Sequence, residues 1–132
     1  MKKLLILTTF LSSFMMSSVA YAEWTKVSES VKGDIGYVDL GRIKKHDGKI
    51  YFWFLVDLLK PNSVGMISFL SYIEGECGRF RYRELTTTFY EGAMGSGKIS
   101  SKANNPSDWS YPPPNSTSEI VLKTVCNHQS MQ

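Results

Sequence analysis

The chain is poor in residues that hold metals and activate nucleophiles: its 132 residues include two cysteines and two histidines. A structural zinc site asks for about four Cys, His or acidic ligands at suitable spacing, and neither His46 nor His128 stands in a paired motif. No Ser-His-Asp set and no acid pair at interpretable spacing is present, which argues against an enzyme. The run Gly-Ala-Met-Gly-Ser-Gly-Lys at residues 92–98 does not complete the Gly-Lys-Ser/Thr ending of a phosphate loop and sits in no strand–helix unit, so nucleotide binding is not expected. Also missing is an apolar run of the roughly 20 residues that a membrane-spanning helix needs. The apolar stretch at residues 4–19 is shorter and contains six Ser or Thr.

That stretch reads instead as a secretory leader. Lys2 and Lys3 form a positive n-region, and Ala20-Tyr21-Ala22 puts small residues at the −3 and −1 positions of a cleavage site. Cleavage after Ala22 removes residues 1–22 and leaves residues 23–132 as one domain with no transmembrane segment, periplasmic or at the cell surface. No cysteine follows the apolar stretch to take a lipid anchor. The formal charge of +3 belongs largely to the leader: losing Lys2 and Lys3 takes the 15 basic residues to 13, against 12 acidic ones, a net charge of +1. A nucleic-acid partner wants a basic excess on one face, and none is expected here.

Export decides what the cysteines do. Two cysteines in an oxidising compartment, with no third, are most simply one disulfide, Cys77 to Cys126. A loop of that length is worth about 4 kcal/mol in the chain-entropy model, a large share of a small domain's stability. A catalytic thiol would want a partner histidine and a reducing environment, and a metal site more ligands.

Aromatic and β-branched residues with Gly punctuation predict strands. Residues 24–31 and 35–40 form the first two, separated by Lys32-Gly33-Asp34. Asp47-Gly48 supplies the positive φ of a tight hairpin turn between Arg42-Ile43-Lys44-Lys45 and the strand at residues 49–59. That second arm is apolar on both faces, with Tyr51, Trp53 and Leu55 alternating with Phe52, Phe54 and Val56, the mark of a central strand covered on each side. Residues 66–76 and 79–90 read as a second hairpin turning at Glu76-Cys77-Gly78-Arg79. Here Arg79, Arg81 and Arg83 share one face and Phe80 and Tyr82 the other. The arginines form either a solvated strand face, neutralised by Glu74, Glu76 and Glu84, or an anion-facing patch for carboxylate, phosphate or sulfated glycan. Residues 92–114 read as a long loop without period, in which Trp109 and Tyr111, beside Pro112-Pro113-Pro114, are a plug over a sheet edge or an aromatic platform. Ser116-Thr117-Ser118-Glu119 is a capping box. It opens a helix whose Val121, Leu122, Val125 and Cys126 share one side, and the disulfide would pin that helix to the sheet.

The order and spacing of these features resembles the surface-adhesin protein E family of bacterial exported proteins. The likeness is carried by Trp24 with Lys26-Val27, Gly36-Tyr37-Val38-Asp39, the Asp47-Gly48 hairpin running into Phe52-Trp53 and Asp57, Glu76-Cys77, Tyr90 with Gly92, Trp109, Pro113-Pro114, and Val125-Cys126. It spans nearly all of residues 23–132. The resemblance implies an α+β, mainly β fold: one twisted antiparallel sheet of about six strands, with a C-terminal helix tied to its concave face by the cysteine bridge. It also implies a surface protein that binds host matrix and plasma proteins; homodimerisation and haem binding are associated with the family.

Two functions follow as expectations. The first is a non-enzymatic binding protein that contacts extracellular macromolecules through its long loop, a sheet edge, or a face carrying Arg79, Arg81, Arg83, Trp109 and Tyr111. The second is a periplasmic carrier of haem or another flat apolar molecule, held against Tyr51, Trp53 and Trp109 with His46 as the haem ligand, although a lone loop histidine is more often just solvated. No cofactor or metal is expected in the first case.

Overall fold

The computed structural model describes residues 22–130, so all of the expected leader except Ala22 lies outside the described residues. The chain runs as an antiparallel meander: β1 (Trp24–Glu29), β2 (Ile35–Asp39), a 3-10 turn (Leu40–Arg42), β3 (Lys44–His46), β4 (Lys49–Asp57), β5 (Ser68–Glu76) and β6 (Arg81–Tyr90). A second 3-10 turn (Ala93–Gly95), β7 (Ile99–Ala103) and the helix α1 (Thr117–Ser130) complete it. The sheet order is β1-β2-β4-β5-β6-β7, with β3 on the same edge of β4 as β2. β2 pairs with residues 54–57 of β4 and β3 with residues 49–51, so one partner strand is broken in two by the turn between them. Asp47 and Gly48 both have positive φ, 50° and 72°, which twists the β3–β4 hairpin in the sense of the strands it joins.

β4 is central, as its doubly apolar pattern requires. Its register with β5 sets Phe52 opposite Ile73 and Trp53 opposite Tyr72, so the two faces are chemically distinct. One face carries Val38, Ile50, Phe52 and Ile73, packed against Val121, Leu122 and Val125 of α1 in a single core. Burying each of those helix side chains is worth about 1.5–3 kcal/mol. Gly75 lets the helix come this close: a Cβ there would lie 3.1 Å from both Ile50 and Leu122. Cys126 on α1 is bonded to Cys77 in the β5–β6 turn, with Cα atoms 5.8 Å apart at a sequence separation of 49.

The helix begins as its capping signal predicts, with one change of partner. Ser116 Oγ accepts from the Glu119 amide at 3.2 Å, and Glu119 reaches back past Ser116 to the Asn115 amide at 2.6 Å. Asn115 has φ of 62°, which turns its amide toward that carboxylate.

Residues 92–114 are not the periodless loop expected. β7 lies within them and pairs with β6 between Thr87 and Tyr90. All five of its residues are exposed, so backbone hydrogen bonds alone define it and no apolar alternation marks it in the sequence. The glycine-rich turn preceding β7 covers the second face of β4. Met94 donates to Asp57 Oδ1, Gly95 donates to Ser68 Oγ, and Leu55 is fully buried beside Gly95.

Candidate functional site

The face of the sheet opposite α1 carries the ionic residues. On β5 and β6 the register places Glu74 opposite Arg83 and Glu76 opposite Arg81. Arg81 donates through Nε and Nη2 to Glu76 Oε2 at 3.2 and 3.0 Å, and Arg83 does the same to Glu74 Oε2 at 3.3 and 3.1 Å. Each carboxylate's other oxygen has its own cation, Lys49 Nζ at 3.5 Å from Glu74 and Arg79 Nε at 3.2 Å from Glu76. Such charge-assisted forks hold both guanidinium planes in fixed orientation. Glu84 points away from this ladder and accepts from Thr87 on the helix face. Arg79 belongs to the turn and not to the strand, because positive φ at Phe80 interrupts the alternation there.

Over the ladder lies Trp109. The Arg81 and Arg83 guanidinium carbons are 4.4 and 4.7 Å from its ring centroid, and Lys49 Nζ is at 6.0 Å. These are cation–π distances. The indole is brought there by backbone pairing: Ser110 exchanges hydrogen bonds with Tyr82 at 2.8 and 3.0 Å, and Ser107 donates to the Glu84 carbonyl at 2.8 Å. The segment thus covers the part of the β6 edge that β7 leaves open. Tyr111, next in sequence, is 65% exposed.

Of the residues singled out in the sequence, Arg81, Arg83 and Trp109 are therefore in contact, Arg79 shares the carboxylate of Glu76, and Tyr111 stands at the margin. The sequence reading missed Tyr72. It faces Trp53 with ring centroids 4.7 Å apart and lies 6.2 Å from Tyr51. Burial pushes the Tyr72 phenol above its ordinary value of 10.0, and neighbouring Tyr51 adds to the shift. The signal was its two-residue spacing from Glu74 and Glu76, readable once the β4–β5 register is known. His46 is on exposed β3 with Nε2 3.1 Å from Asp47 Oδ2, an ion pair within the hairpin turn when protonated.

The opposite face has a cleft of about 340 Å³ beside the start of α1, floored by Phe54, Val56 and Phe69 and roofed by Val121 and Leu122. Among the described residues no group of three or more His, Cys, Asp or Glu side chains is placed to hold a metal ion. No helix among them is long and apolar enough to cross a membrane.

The family model described as surface-adhesin protein E matches residues 24–127. Among solved structures, crystal form II of Haemophilus influenzae protein E aligns with a TM-score of 0.64 at 17% identity, covering 83% of this chain and 91% of that one. A further structure of Haemophilus influenzae protein E gives 0.64 at 17%, covering 85% and 89%. Protein E from non-typeable Haemophilus influenzae gives 0.62 at 16%, covering 86% and 82%. At such identities the likeness is one of fold: a mostly antiparallel open sheet with one C-terminal helix. Comparison with curated proteins gives no match.

Proposed function

Because the chain belongs to the surface-adhesin protein E family, we propose that it is an exported, non-enzymatic binding protein that contacts host or environmental macromolecules through the face carrying Arg81, Arg83 and Trp109. Family membership over residues 24–127 is the observation that carries the class. The choice of face rests on preorganisation. Trp109 and its two arginines are held by backbone pairing and by paired guanidinium hydrogen bonds to Glu76 and Glu74 before any partner arrives, and aromatic and arginine side chains so fixed are the residues that dominate interface energetics. The disulfide supports an oxidising location, outside the cell or in the periplasm.

The test is solid-phase binding of the purified, folded protein to immobilised extracellular-matrix extract. Saturable binding that drops at least about tenfold in Trp109→Ala and in Arg81→Glu/Arg83→Glu is the expected result, since losing a central aromatic anchor costs about 2 kcal/mol or more. Binding that is indifferent to both variants removes the face from the reading. Turnover of generic ester, phosphate or peptide substrates that persists through purification to homogeneity removes the non-enzymatic class.

A further inference from the structure

Trp53 and Tyr72, paired across the two central strands, stack against each other with ring centroids 4.7 Å apart and planes tilted by 35°, and neither is sealed. On the other face of the same strands Phe52 and Ile73 are 1% and 4% exposed beneath the helix. The aromatic pair instead floors a cleft of about 450 Å³, walled by Gly41, Arg42, Ile43 and Lys44. That volume lies within the ~300–1,000 Å³ of small-ligand sites.

Charge at the mouth of the cleft selects among ligands. Lys44 is exposed, stands across from Tyr51 on this face, and has no carboxylate partner among the described residues. The Arg42 Nε lies 2.7 Å from Asp39 Oδ2, an ion pair without an aligned hydrogen bond, and its side chain stays 48% exposed over a carboxylate that is 3% exposed. Two cations therefore meet one buried acid. Glu74, across from Tyr51 on the neighbouring strand, is already engaged by Arg83 and Lys49. An aromatic cluster by itself also suits an organic cation, but Lys44 and Arg42 would repel one. A ligand that fits both features has a flat C–H face to lie on the rings and an anionic group to meet Lys44.

We propose that this cleft binds a carboxylate-bearing saccharide, such as a sialate or uronate terminus. The cleft is on the same face of the sheet as the Trp109 surface but shares no lining residue with it, and the proposal stands whether or not that surface engages a protein.

The probes are 3′-sialyllactose and a glucuronate-terminated disaccharide, with lactose and sodium acetate as controls, followed by calorimetry and by saturation-transfer NMR of the sugar protons. The expected result is saturable binding of an acidic sugar with Kd of about 1 mM or tighter, at least about tenfold weaker binding of lactose, and at least about tenfold loss in Lys44→Glu. Sugar C–H protons on one ring face should receive the strongest transfer. Absence of saturation up to about 10 mM, equal binding of lactose, displacement by equimolar acetate, or full affinity in Lys44→Glu each overturns the proposal. If Lys44→Glu does not fold, raising sodium chloride to about 0.5 M must weaken binding by the unaltered protein, and insensitivity to salt overturns the proposal equally. Because a matrix extract itself carries acidic sugars, the variants separate the two readings: loss of sugar binding is read in Lys44→Glu, and loss of the matrix-binding face in Trp109→Ala and Arg81→Glu/Arg83→Glu.

Discussion

The Arg81 guanidinium carbon sits 4.4 Å from the centre of the Trp109 ring, and the same guanidinium forks onto Glu76 on the neighbouring strand. One aromatic ring thus covers a cross-strand ion pair from above and leaves its two side chains only 19% and 18% exposed. Trp109→Ala removes that cover and the cation–π contacts that, alongside the Ser107 hydrogen bond, hold residues 104–114. We expect a loss of about 1–3 kcal/mol in urea denaturation, from the cation–π contacts and the lost burial together. Limited proteolysis should then cut between residues 104 and 114 before the sheet opens.

Glu74 is the most exacting position in the ladder. Its side chain is 5% exposed, yet it meets both Arg83 and Lys49. Glu74→Ala leaves a half-buried guanidinium without its carboxylate, a change that costs about 3–5 kcal/mol in a fully buried pair. Arg83 is 31% exposed and Lys49 36%, so solvent screening brings the expected loss down to about 1–3 kcal/mol. The double variant Glu74→Ala/Arg83→Ala should lose less than the sum of the two single changes. Strict additivity in denaturant titrations would mean that the pair is not coupled.

How much of this was legible follows from how local each signal is. Asp47-Gly48 reports its turn because φ is set by the residues themselves, and β4 reports its central place because both of its faces are apolar. The α1 stripe and its serine cap read correctly for the same reason. β7 was invisible, since its five exposed residues carry no pattern and its strand character comes from the β6 backbone. The seat of Trp109 was equally hidden: the prolines mark an irregular segment, but the pairing of Ser110 with Tyr82 joins positions far apart in the chain. Tyr72 had no meaning as a site residue until Trp53 was placed across from it by register. The sequence suggested Arg79 as the third tooth of an arginine row, and only the positive φ of Phe80 reveals that the strand begins two residues later.

The bond between Cys77 and Cys126 joins the β5–β6 turn to the third turn of α1, closing a loop with 49 residues of separation. Replacing both cysteines by serine should lower stability by about 3–4 kcal/mol. The core residues Val121, Leu122 and Val125 remain apolar and buried in the folded state, so the variant should still fold, with the helix protected less well than β4 and β5. Hydrogen exchange of α1 amides that is as slow as in the native protein would show that packing alone holds the helix.

The cap of α1 makes the helix start sensitive to acid. The Glu119 carboxylate is held below its ordinary value of 4.5, first by the hydrogen bond from Lys123 and then by the Asn115 amide. A carboxylate whose folded pKa is depressed contributes stability that is present above the unfolded value and is lost as pH falls through the folded one. Between about pH 5 and pH 3 the native protein should therefore lose stability more steeply than Glu119→Gln, which has no charge to lose there. Ser116→Ala, by contrast, removes the acceptor for the Glu119 amide and should cost about 1 kcal/mol at every pH. Denaturant midpoints across that range separate the two contributions. Parallel curves for the native protein and Glu119→Gln would mean that the carboxylate's charge does not support the helix, leaving the serine hydroxyl as the cap.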